Sequence, residues 1–412
     1  MKKVVIEYRA AQLDSVLRRE TLNFQTRKVI ASILFWAVSA SAQTADSTSQ
    51  YERWGEMLRR ENHQTVITET TAELARNPKN ALALRMRAQA YANVEQVKLA
   101  LQDRDAIAPL VVNPATAEEY EALCYAYRTS DKYSKQEAIA LCNKAIELNP
   151  RAIFAYYNRG QAYQGTNEYD KAIADFTKVI ELDSRYYNGY RFRGDTYNFR
   201  NEYKQAIDDY GKAIELNPKN GTAYVGRGFA SMHLDNLPAA LADLTKAVAL
   251  LPKNTSAHLY LGDARAAMKE YSLALVSYNK VIELDPKNAS AYYGRGVTYR
   301  YLFIRDRAEN KNYTNALSDL TRAIEFEPAT SRAYLERAKL YGFNEEFKAA
   351  IADLTKVIEL DGGDNPEAYC IRYSLYEYSG QKRLAEADFA RLSDSRRSCT
   401  KFKTRNHPGD TY

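Results

Sequence analysis

The sequence is poor in the residues that carry out chemistry. Its 412 residues include four histidines, four cysteines and two tryptophans, too little material for a metal cluster or a thiol active site. No H-E-x-x-H, G-x-S-x-G or G-x-x-x-x-G-K-S/T pattern occurs, so the common zinc-protease, serine-hydrolase and P-loop signatures are missing. Long hydrophobic runs are also scarce. Only residues 29–38, VIASILFWAV, form one, which excludes a multi-span membrane protein. With 17 glycines and 11 prolines the chain is neither collagen-like nor compositionally disordered. The net charge of +6 sits mostly at the ends. Residues 1–42 carry seven Lys/Arg against three Asp/Glu, and residues 394–412 carry five against two. The body between them is therefore close to neutral and offers no basic stripe for nucleic acid.

What is present begins with a leader. Arg27 and Lys28 precede the apolar run, and Ala40-Ser41-Ala42 supplies small residues before Gln43. This order of charge, apolar stretch and A-x-A site is that of a secretory signal peptide. The expected mature chain starts after Ala42 and is periplasmic or secreted, with no cysteine near the cut to make it a lipoprotein. The 26 residues before Arg27 make an over-long leading region, consistent with a start assigned too far upstream.

The body repeats. Pro218, Pro252 and Pro286 lie 34 residues apart, Pro150 lies two periods before Pro218, and Ser184 takes the intermediate place. Helix-like tails such as AIELNP at 145–150 and VIELDP at 281–286 alternate with starts such as AYYNRGQAY at 155–163 and AYYGRGVTY at 291–299. In the repeat beginning at Ile153 the recurring places hold Tyr156, Arg159, Gly160 and Tyr163, then Ala172, Phe176 and Val179. This pattern resembles the tetratricopeptide repeat family. The resemblance implies an all-α, right-handed α-solenoid of antiparallel helix pairs. About ten repeats span 43–393: a degenerate one near 47–80, then 81–116, 117–152, 153–186, 187–220, 221–254, 255–288, 289–330, 331–365 and 366–393. Stacked repeats bury faces that a single pair cannot, and they leave no room for a catalytic domain. The eighth-place glycines, Gly160, Gly194, Gly228, Gly262 and Gly296, are expected to face the alanines of the second helix. Repeat 289–330 carries eight extra residues, which lengthen its helices or form a charged loop.

A second pattern lies inside the first. The seventh place holds Arg87, Arg159, Arg193, Arg227, Arg295, Arg337 and Arg372, and the twenty-third holds Asp103, Asp175, Asp209, Asp243, Asp319, Asp353 and Asp388. The two repeats without the arginine, at Leu123 and Leu261, also lack the aspartate, having Leu141 and Ser277. Joint loss favours pairing across each hairpin over the alternative, a polar binding strip, which would not require both partners to vanish together.

Membership would also imply that the first helix of each pair lines a concave binding face through its second, fifth, ninth and twelfth places. Those places put Tyr157, Gln161, Arg191, Asp195 and Asn198 on one flank and Arg300 and Lys339 on the other. Val225, Phe229, Met232, Leu259, Asp263, Tyr293 and Val297 lie between them. The Lys, Asn and Arg clamp of carboxylate-binding members is not matched. The function expected is a non-enzymatic scaffold of the envelope or secreted space that binds a protein or peptide and needs no cofactor. A cell-wall glycan is the alternative ligand for the same face. Cys370 and Cys399 lie at neighbouring ends of the last hairpin, close enough for a bridge, with free thiols on a frayed tail as the alternative. Cys124 and Cys142 are read as buried thiols, with a second bridge as the alternative.

Overall fold

The computed structural model describes residues 50–306 and 310–392. The leader, the basic tail and Cys399 lie outside the described residues. Among the described residues all regular structure is helical, and no helix is long and apolar enough to cross a membrane. The described residues divide into two compact units, with the boundary between Gly189 and Tyr190.

The N-terminal unit contains α1 (residues 50–59), α2 (His63–Arg76), α3 (Ala81–Asn93), α4 (Val97–Leu110), α5 (Ala117–Thr129), α6 (Lys135–Leu148), α7 (Ile153–Gly165) and α8 (Tyr169–Leu182). The boundary falls inside α9 (Tyr187–Phe199). The C-terminal unit continues with α10 (Tyr203–Leu216), α11 (Gly221–His233), α12 (Leu237–Leu250), α13 (Thr255–Ala267), α14 (Tyr271–Leu284), α15 (Ala289–Arg305), α16 (Asn310–Phe326), α17 (Ser331–Phe343), α18 (Phe347–Leu360), α19 (Pro366–Tyr378) and α20 (Lys382–Arg391). Within each unit helices pack as sequential antiparallel pairs, and first helices of neighbouring repeats also touch.

The second helix of each pair shows why. In α8 the buried residues are Ala172, Asp175, Phe176 and Val179; in α12 they are Ala240, Asp243, Leu244 and Ala247. This i, i+3, i+4, i+7 spacing is the stripe of an amphipathic helix, but it buries an aspartate, which must find a partner. Seven of the hairpins turn through one left-handed residue at the fifteenth place: Glu95, Asn167, Asn201, Asp235, Lys269, Glu345 and Gly380. Glu61 repeats that feature and sets the register of the degenerate first repeat. Five first helices, α3, α11, α13, α15 and α19, are started by asparagine caps, as where the Ala291 N–H donates to Asn288 Oδ1 at 3.0 Å.

Two expectations need correction. The eighth-place glycines face the twenty-fourth residue rather than the alanines: a Cβ on Gly160 would sit 2.9 Å from the Phe176 ring, and one on Gly262 2.7 Å from Tyr278. Cys124 and Cys142 occupy the same two places, because the two extra residues of that repeat fall in its turn. Their Cα atoms are 5.3 Å apart, and they form a disulfide rather than two thiols. The extra residues at 289–330 lengthen both helices, α15 and α16 having 17 residues each.

Candidate functional site

All seven arginine–aspartate pairs are bidentate. In each, arginine Nε donates to Oδ2 and Nη2 to Oδ1, at distances between 2.6 and 2.8 Å. Pairing with Asp209 holds the Arg193 guanidinium above its ordinary value. The remaining arm reaches back to the preceding repeat: Arg159 to Asn143 at 2.7 Å, Arg295 to Asn279 at 2.6 Å, Arg337 to Thr321 at 3.1 Å. The arginines thus fasten repeat to repeat. This is a structural ladder, and its side chains are taken.

The face of the first helices differs between the two units. In the N-terminal unit it is filled by α1. The apolar side of α1, Tyr51, Trp54 and Leu58, is buried. Tyr51 donates to Glu121, which also faces Arg85 at 3.6 Å. Arg85 is fully buried between the rings of Phe154 (4.3 Å) and Tyr125 (5.3 Å). Gly55 lets α1 settle on Phe154, since a Cβ there would lie 2.9 Å from the ring. Arg59 closes the far end on Asp183 at 2.9 Å. Burial raises the pKa of the Glu121 carboxyl, and Arg85 opposes that rise. Tyr157, expected to face a ligand, is instead buried against Phe176 and Tyr186; Gln161 is half-buried.

In the C-terminal unit the same places are half-buried. Phe229 joins Tyr203, His233 and Tyr260 in a ring cluster. Val225, Leu259 and Val297 are partly exposed, Met232 leans on the Leu244–Leu261 core, and Tyr293 carries Arg332 over its ring at 4.7 Å. The flanking charges are less available than their positions imply. Arg300 is buried on Glu336 at 2.9 Å, and Lys339 bridges Glu336 and Glu367 at 2.9 and 2.7 Å. Asn198 donates to Tyr210 Oη at 3.0 Å and to the Gly226 carbonyl at 3.2 Å.

Sequence reasoning missed one constellation, which occurs twice. Tyr210 and Tyr278 stand at the twenty-fourth place, where other repeats have Phe176, Leu244, Leu320 or Leu354. Each ring passes over a glycine of the next repeat, Gly226 or Gly294. Each hydroxyl then donates to an aspartate at the ninth place of its own repeat: Tyr210 to Asp195 at 2.7 Å, Tyr278 to Asp263 at 2.8 Å. The signal was available: aspartate at the ninth place goes with tyrosine at the twenty-fourth and glycine at the next sixth place. Asp195 also meets Arg191 at 2.9 Å. Asp263 has leucine, Leu259, where that arginine would be. Burial pushes the Asp263 carboxyl up to about 6, moderated by the Tyr278 hydroxyl and by Arg332.

Known families match at the repeats. TPR repeat models match residues 194–235, 262–300, 153–186 and 331–364. No match is found among curated protein sequences. Among solved structures the chain is 32% identical to YrrB, described as a TPR protein with an unusual peptide-binding site. That likeness covers 47% of this chain and 95% of that one, with a TM-score of 0.39. The Cut9 complex with Hcn1, of the APC/C, is 18% identical over 77% of this chain and 56% of that one, at TM-score 0.55. A tetratricopeptide repeat protein from Parabacteroides merdae is 18% identical over 66% of this chain and 98% of that one, at TM-score 0.47. Helix pairs in tandem, the repeated glycine and aromatic contacts and these matches together make the chain a member of the tetratricopeptide repeat family.

Proposed function

We propose that the chain is a non-enzymatic scaffold that holds a peptide or an extended protein segment against the first-helix face of its C-terminal unit. The observation carrying this reading is the half-buried row Val225, Phe229, Leu259, Tyr293 and Val297, apolar and flanked by fixed charges. Such a strip gains by desolvating a partner's apolar side chains. The likeness to YrrB, whose description names a peptide-binding site, supports the same class of ligand. We place the protein in the envelope or secreted space. The leader sequence and the Cys124–Cys142 disulfide support that placement, since such bonds persist in oxidising compartments.

Panning a random-peptide library on the full chain tests the binding reading. Selected peptides should lose at least tenfold in affinity for a Phe229→Ala, Tyr293→Ala variant whose helical circular dichroism is unchanged. Peptides that bind this variant equally well would remove the face from the account.

A further inference from the structure

The two tyrosine–aspartate constellations differ in one respect that bears on what the C-terminal unit binds. Around Asp195 the carboxylate is neutralised from within, by Arg191 one helical turn earlier. Around Asp263 the equivalent place is Leu259, and no lysine or arginine of the described residues lies within ion-pair distance. Arg332, whose charge acts on Asp263, is stacked on Tyr293 and donates to Ser290 at 3.3 Å. Lys269 is exposed at the rim. The fold has built the same acceptor twice and supplied its cation once.

The space in front of Asp263 is shaped for the missing group. A cavity of about 370 Å³ is lined by Asp263, Ala266, Tyr271, Tyr293, Val297 and Tyr301, among others. Gly294 keeps its floor low, since a Cβ there would lie 2.6 Å from the Tyr278 ring. Tyr271 and Tyr301 stand parallel with ring centres 5.9 Å apart, and Tyr301 is 46% exposed. The carboxylate at the base attracts a cation by Coulombic force, and the rings at the sides attract one through their quadrupoles. Arg300 over Tyr301 at 4.5 Å and Arg305 over Tyr271 at 5.9 Å already show the second attraction; neither of these arginines pairs with Asp263. Its lining shares Tyr293 and Val297 with the row on the first helices.

We propose that this cavity is a binding site for the cationic side chain of an arginine or lysine in the bound peptide, its charge set on Asp263 and its stem along Tyr271, Tyr293 and Tyr301. Arg191 is the internal counterpart of that side chain. The proposal rests on the peptide-binding reading and adds to it the identity of one anchor.

The direct probe is Nα-acetyl-L-argininamide, compared with its citrulline counterpart, which has the same shape and no charge. Both are titrated into the full chain while the methyl signals of Val297 are followed by NMR. The argininamide should give saturable shifts, and the citrulline compound should bind at least tenfold more weakly. Asp263→Asn should remove the difference. Leu259→Arg, which supplies the cation from within as Arg191 does, should block the site while the fold is kept. Equal shifts from the two compounds, no saturation with the argininamide, or an unaltered preference in Asp263→Asn overturns the proposal. None of these outcomes touches the wider reading, which fails only when panned peptides ignore Phe229 and Tyr293.

Discussion

The fifth place of the first helix reads differently in the two units. In the N-terminal unit it holds Arg85, Glu121 and Tyr157, all buried. In the C-terminal unit it holds Arg191, Val225, Leu259, Tyr293 and Leu335, none of them buried. The repeats are built alike, so the difference comes from what lies on them. One face is covered by α1, through Tyr51, Trp54 and Leu58; the other keeps apolar and aromatic side chains at the surface. The comparison teaches that in a repeat protein the same position is core or binding surface according to whether the chain itself covers it.

The comparison can be broken most forcefully at Trp54. The side chain is 1% exposed, and its indole N–H donates to Glu69 at 3.0 Å. Trp54→Ala should cost about 3–5 kcal/mol in urea unfolding, as for other buried large-to-small changes. A loss under 1 kcal/mol would mean that α1 rests on the face without holding it.

A smaller effect sharpens what the units share. Arg193→Ala strands the buried Asp209 carboxylate, Asp209→Ala takes from Arg193 its bidentate acceptor, and the double variant removes both. The cycle should show about 1–3 kcal/mol of coupling. Independent costs would contradict the ladder formed by the two bonds at 2.7 and 2.8 Å.

The third effect depends on pH. A carboxyl at about 6 when folded, against an ordinary 3.8, binds its proton more tightly in the folded chain. Its contribution to stability is therefore present below about 4 and is lost as pH rises through about 6. Asp263→Asn should be the more stable chain at pH 7.5, by on the order of 1–3 kcal/mol, with the gap closing near pH 4. Thermal melts at both values check this; a variant less stable at pH 7.5 would show that Asp263 serves the fold. Facing groups stay out of the window, since burial pushes Tyr278 and Tyr293 upward.

The periodic parts of this structure were legible in the sequence because they depend on residues at fixed spacing within a single hairpin. The helix pairs and the Arg193–Asp209 type of pair are of that kind. The disulfide was misread because the eighth place was matched to the twentieth, whereas close packing sets it against the twenty-fourth, as Gly160 against Phe176 shows. The tyrosine–aspartate constellation spans two repeats and uses a tyrosine whose ring is core and whose hydroxyl is not, so counting it as core hid its polar end. The covering of the N-terminal face was least legible. It joins Tyr51 to Glu121 and Arg59 to Asp183, 70 and 124 residues away, contacts that the pattern of a single repeat does not encode. Opposite charges at the same place of consecutive repeats, Arg85 and Glu121, were its one trace.

Hydrogen–deuterium exchange of the full chain, with and without a panned peptide, tests the central claim most directly. The account predicts added protection along the first helices of the C-terminal unit, residues 221–233, 255–267 and 289–305, with residues 81–93, 117–129 and 153–165 unchanged. Protection gained on the N-terminal first helices, with loss of it in residues 50–59, would mean that the peptide displaces α1, and would contradict the assignment of the open face as the binding site.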